Sequence, residues 1–152
     1  MSSPPPPSVR QPANAPVIAW LAGRQAPDDD RPPRPDQHDY WEAGSHPDVV
    51  ERIWNQLGRT LPIESRRVVC GTPALLHPTS RVLIAVAIGT QYVLRLPSAL
   101  LRSGVPATVR TETTWSGGGR MDVRAAFGPE WVFGSYTPEE EAWCRSSFEE
   151  HA

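Results

Sequence analysis

The sequence predicts a two-layer α+β domain: an antiparallel sheet of about five or six strands, flanked by an N-terminal and a C-terminal amphipathic helix. Three stretches carry this prediction. Residues 81–97, RVLIAVAIGTQYVLRLP, read as two strands joined by Gly89-Thr90. Residues 45–58 carry apolar side chains at helical spacing, and residues 137–148 open with helix-start chemistry.

The hairpin is the centre. A two-residue loop beginning with Gly suits a type II′ turn, because Gly accepts a positive φ at no steric cost. A tight turn sets Ile88 opposite Gln91, Ala87 opposite Tyr92, Val86 opposite Val93, Ala85 opposite Leu94 and Ile84 opposite Arg95. Val82, Ile84, Val86 and Ile88 then share one face, and Leu83, Ala85 and Ala87 the other. Both faces are apolar, as in a central strand covered on both sides.

From the N-terminus, ten of the eighteen prolines precede residue 37. Residues 1–38 therefore read as a Pro-rich, largely disordered leader, and residues 39–152 as one globular α+β domain. Within the leader, residues 14–25 form a short apolar helix. Asn14 stands at its cap, Pro16 in its first turn and Gly23 past its end. Val17, Ile18, Trp20 and Leu21 need a surface to bury against, either on the chain's own domain or in a partner's groove.

Ser45 is the expected N-cap of the first domain helix. Val49, Val50, Ile53, Trp54 and Leu57 form its apolar face, and Gly58 ends it. Strands are expected at 66–70 and 74–77, then the central hairpin, then one helical turn at 98–103 closed by Gly104. Residues 108–115 and 120–127 alternate apolar and polar around Ser116-Gly117-Gly118-Gly119, the pattern of a second hairpin, and residues 131–133 form a last strand. Thr137 and Glu140 have capping-box spacing around Pro138, with Trp143, Cys144, Ser147 and Phe148 as the buried stripe behind them.

The net charge of -2 with no basic run argues against nucleic acid, and no apolar run approaches the roughly 20 residues of a membrane span. Lysine is absent, a bias that a GC-rich genome explains better than arginine chemistry. The leader has no apolar signal-peptide core, and the two cysteines sit in apolar surroundings, so a reducing, cytoplasmic setting is expected. No phosphate-binding Gly loop, nucleophile elbow or zinc pattern occurs, and no cofactor is expected.

Four polar or aromatic sets remain. His38, Glu42 and His46 have metal-capable spacing, but Gly44 and Pro47 interrupt the helix that would align them. Cys70 and His77 fit a nucleophile–base pair only if their strands adjoin and the thiol is open to solvent. Arg95, with Tyr92, Arg110 and Arg124, is the candidate ligand-binding set. Arg95 falls on an apolar strand face and needs a carboxylate, preferably an internal one such as Glu112 or Asp122. Trp41, Trp115, Trp131 and Tyr136 are candidate interface or stacking aromatics near loop edges.

These readings favour a non-catalytic protein-interaction or adaptor module of a small bacterial-type protein, with residues 14–25 as a tethered docking segment for another protein. Two alternatives stand beside it. One is a small-molecule-binding or enzymatic domain with a pocket around Tyr92 and Arg95. The other is an inhibitor or immunity-type protein acting through an acidic face.

Overall fold

The structure is a computed structural model that describes residues 5–24, 29–33, 45–114 and 119–152. His38, Trp41, Glu42, Trp115 and the Gly117 turn lie outside the described residues. The fold is α+β. Strands β1 (Asp30–Arg31), β2 (Arg66–Val69), β3 (Thr72–Leu76), β4 (Leu83–Ile88), β5 (Gln91–Arg95) and β8 (Trp131–Phe133) form one antiparallel sheet in the order β1-β2-β3-β4-β5-β8. Strands β6 (Glu112–Thr114) and β7 (Arg120–Asp122) form a separate two-stranded ribbon.

The central hairpin has the expected register at Ile88–Gln91, Ala87–Tyr92, Val86–Val93 and Ala85–Leu94. Gly89 takes φ 59°, as a type II′ turn requires. One residue departs. Leu75 pairs with Ala85 but Leu76 with Leu83, so Ile84 is an extra residue in β4. This bulge turns Ile84 to the same side as Ala85, and the expected Ile84–Arg95 pair does not form. Cys70 and Gly71, at φ 50° and 73°, close β2 onto β3 in two residues, with Val69 facing Thr72. The positive φ at both positions is that of a type I′ hairpin.

Every residue of β4 is buried, because helices cover both faces of the sheet. On one face lie helix α3 (Pro47–Glu51), which continues as a π-helical turn (Arg52–Leu57), and the C-terminal helix α6 (Glu139–Glu150). Val49, Val50, Ile53, Leu57 and Cys144 pack there on Ala85, Ala87, Tyr92 and Leu94. Helix α4 (Ser98–Ser103) adds Leu100 at the margin. The cap of α3 is His46 rather than Ser45: His46 Nδ1 accepts from the Asp48 amide at 3.1 Å, while Ser45 Oγ donates to the Ala87 carbonyl at 2.8 Å.

The other face is covered by the leader together with Val123 and Phe127. Helical turn α1 (Pro7–Arg10) and helix α2 (Ala15–Ala22) pack on the sheet. Val17 and Leu21 are 0% and 1% exposed among Val69, Leu76, Val86 and Val93. Ile18 and Trp20 pack on the same core, Trp20 edge-on to Phe127 at 5.6 Å. Residues 14–25 were open between own domain and partner; within the described residues they pack on the own domain. Asn14 does not cap α2. Its amide donates to the Ser8 and Arg81 carbonyls, and its oxygen accepts from the Leu83 amide at 2.9 Å. Ser8 Oγ reaches Asp30, which also pairs with Arg67 at 2.6 Å. These bonds tie Ser8 and Asn14 of the leader to the sheet and to the turn before β4.

The strand expected over 120–127 also differs. It ends at Asp122, whose carboxylate accepts from the Arg124 and Ala125 amides and starts helix α5 (Val123–Phe127). Val123 and Phe127, two strand-like positions in the alternation, are also four apart and so share a helix face, both buried.

Candidate functional site

The candidate ligand set does not converge. Tyr92 and Arg95 lie three residues apart on β5 and face opposite sides of the sheet. The expected single pocket around both is therefore not formed. Arg95 is 4% exposed. Its Nε donates to the Leu83 carbonyl at 2.7 Å, beside the bulge. Its other donors reach Glu130 at 3.0 Å and the Ala13 carbonyl at 3.1 Å, and the guanidinium lies 4.8 Å above the Trp131 ring. The internal carboxylate is Glu130, not Glu112 or Asp122. Burial lowers the Arg95 pKa, and Glu130 works against that shift. Its bonds tie the leader to the sheet.

Arg110 is exposed and donates to Gln91, Ser135 Oγ and the Gly134 carbonyl. Arg124 sits on α5 rather than in a strand and is exposed. Cys70 and His77 stand at opposite ends of β3. His77 Nδ1 accepts from the Thr79 and Ser80 amides, which fixes it in a turn, and its ring stacks on Phe148. Among the described residues no group of three His, Cys, Asp or Glu is placed to hold a metal ion.

What the fold does assemble is a buried cluster of Arg52, Tyr92 and Glu140. Glu140 is 2% exposed. One of its oxygens accepts from the Tyr92 hydroxyl in a short contact and from Arg52 at 3.0 Å, and the other accepts from the Ser135 amide at 2.7 Å. Arg52 also donates to the Thr137 carbonyl, and the Tyr136 amide donates to Tyr92 Oη at 2.8 Å. A buried carboxylate is tolerated only when its lone pairs are satisfied in this way. Burial and the neighbouring Glu140 push the Tyr92 hydroxyl far above its ordinary pKa, so it stays a neutral donor. Burial likewise pushes the Cys144 thiol up, which keeps it protonated and unreactive.

Glu140 is therefore not the closing member of a capping box. No side chain caps α6, and Thr137 Oγ1 is sealed from water with no protein partner. The signal was present in the sequence: extending the Cys144 stripe back by four residues lands on Glu140. Arg52, read as part of the polar helix face, sits at the first residue of the π-helical turn.

The cluster holds the turn at residues 134–137 against β5. Gly134 lies so close to Tyr92 that an added Cβ would fall 1.8 Å from its ring. Tyr136 takes φ 59°, a strained value for a non-glycine residue. Its side chain is 54% exposed, edge-on to Tyr92 at 5.1 Å and under Arg52 at 5.4 Å. Beside it, a pocket of about 160 Å³ opens between the start of α6 and the 106–109 segment. A wider cleft of about 660 Å³ lies where the C-terminal end of α2 meets Gly89. No described helix is long and apolar enough to cross a membrane. Comparison of the chain with protein-family models, with curated proteins and with solved structures yields no match in any of the three.

Proposed function

We propose that this chain is a non-catalytic protein-interaction module whose contact point is the turn carrying Tyr136. The observation that supports this reading is Tyr136 itself. Its backbone is held in a region that costs on the order of 1–3 kcal/mol, and its ring is left in solvent. Such strain persists only where the surroundings impose it, and here a buried carboxylate, an arginine and a tyrosine do so. A rigid, half-exposed tyrosine next to an arginine has the character of an interface anchor. The partner is taken to be protein rather than nucleic acid, given the net charge of -2. A reducing, cytoplasmic setting fits two buried cysteines that form no disulfide with each other. The docking role expected of Val17, Ile18, Trp20 and Leu21 passes to this turn, because those four side chains pack on the chain's own sheet.

The test is capture from an extract of the native cell, with the full chain, a Tyr136→Ala variant and an Ile63→Ala control. Ile63 is 65% exposed and distant in sequence from the turn. A protein retained by the full chain and by Ile63→Ala, and lost with Tyr136→Ala, is the expected result. A captured set that Tyr136→Ala leaves unchanged refutes the assignment.

A further inference from the structure

We infer that the turn between β3 and β4, residues 77–81, is an acid-sensitive latch: a second proton on the His77 ring loosens its hold on Gln11 and Asn14 of the leader. This goes beyond the protein-interaction reading and does not depend on it.

The latch is built on one ring nitrogen. His77 Nδ1 accepts from the Thr79 amide at 3.1 Å and from the Ser80 amide at 3.4 Å. A neutral imidazole can do this with its proton on Nε2, whereas an imidazolium carries a proton on both nitrogens and accepts nothing. Protonation therefore turns the acceptor into a third N–H facing two others. Little else holds the turn. Arg81 takes φ 65°, a value that persists in a non-glycine residue only where the surroundings impose it. Its amide donates to the His77 carbonyl at 2.9 Å, and the Val82 amide reaches Ser80 Oγ at 3.4 Å.

The leader is seated on this turn. Gln11 Nε2 donates to the Ser80 carbonyl at 2.6 Å, and Asn14 Nδ2 to the Arg81 carbonyl at 2.8 Å. Both acceptors move when the turn opens. Val17 and Leu21 are held by apolar burial on the sheet, which the proton does not alter.

The groups around the ring let it take the proton. His77 stacks on Phe148 at 4.4 Å, and an aromatic face attracts a cation. Arg81 belongs to the turn itself. The charged groups acting at this end of the sheet are Arg95 of β5, Glu130 before β8, and Glu150 and His151 of α6. Burial and the charge of Arg95 hold His151 below its ordinary value, and His77 acts the same way. His151 therefore stays neutral over the first part of an acid titration, and Glu130 and Glu150 supply the compensating charge.

The experiment is a ¹H–¹⁵N NMR series on the full chain from about pH 7.5 to 5, the range in which histidine takes up its proton. At the upper end, long-range ring correlations should show His77 with Nδ1 bare and Nε2 protonated. The Thr79 and Ser80 amides and the side-chain amides of Gln11 and Asn14 should then shift with one midpoint, that of His77. Protection of the Thr79 and Ser80 amides from hydrogen exchange should fall about tenfold, the scale of a lost hydrogen bond, while Val17 and Leu21 keep theirs. His77→Asn offers an acceptor to the same amides and does not titrate, so protection should stay constant across the series. His151→Gln should leave the response in place. The inference is overturned by a bare Nε2 in the neutral ring, by a His77 still neutral at the lower end, or by a response that His77→Asn retains or His151→Gln removes. Loss of protection at Val17 and Leu21 with the same midpoint overturns it as well. Should His77→Asn not fold, the shared midpoint in the unaltered chain decides.

Discussion

Arg95 looks like a ligand site in the sequence and behaves as a clamp in the fold. A buried guanidinium bonded to Glu130 and to carbonyls of Leu83 and Ala13 leaves three acceptors stranded if it is removed. Arg95→Ala should cost about 3 kcal/mol, read as a lower urea midpoint, because breaking a buried pair exposes its partners' desolvation cost. A stability change below ~0.5 kcal/mol, the scale of an exposed surface residue, would refute the clamp. The sequence makes the need for a carboxylate legible, since a charge sits on an apolar face. It does not make Glu130 legible, because that partner arrives through the pairing of Arg95 with Trp131 on β8, a contact 36 residues away with no periodic signature. Glu140 is the converse case. Thr137-Pro138-x-Glu140 has the spacing of a cap, and only the burial of the fourth position shows that the carboxylate turns inward.

At the scale of elements, local signals held where the contact was local. The Gly89 turn fixes four consecutive pairs of the hairpin in the expected register. The register then fails at Ile84, because the bulge against β3 depends on a neighbour that alternation does not encode. Residues 123–127 show the same limit: a short run that alternates also satisfies a helical spacing, and the Asp122 cap decides between them. The leader was legible as an apolar helix and not as a covering layer, because composition rich in proline argues for disorder while four apolar side chains argue for burial. Leu21→Ala, at 1% exposure, should cost about 3 kcal/mol. Removing residues 1–24 strips Val17 and Leu21 from the sheet face that the leader covers together with Val123 and Phe127 of α5. It should abolish cooperative thermal unfolding, since the loss rivals the roughly 5–15 kcal/mol of an entire domain. A truncated chain that melts as sharply and as hot as the full one would show the leader to be dispensable.

For the molecule as a whole, the pH dependence of stability should carry a histidine component from the C-terminal end of α6. Burial, and then the positive charge of Arg95, hold the His151 imidazole below its ordinary 6.5, while Glu150 and Glu130 oppose the shift. With the folded pKa depressed, the unfolded chain binds the proton more readily. The contribution is complete above pH 6.5 and is lost as pH falls through the folded value. Melting temperature should therefore drop between pH 7.5 and 5, and His151→Gln should flatten that part of the curve. An unchanged slope in the variant would assign the effect elsewhere.

The leader's place on the sheet also has a consequence in time. Helix α2 leaves the ribosome long before β4 and β5, the strands that receive Val17 and Leu21. At about 5–20 residues per second, the delay is on the order of ten seconds. During that interval an apolar helix too short to be stable by itself has no docking surface of its own. The meander from β2 to β5, built from sequence-local pairings, is expected to close before that helix docks. Of these elements, the one made earlier is the one that must wait for its docking surface.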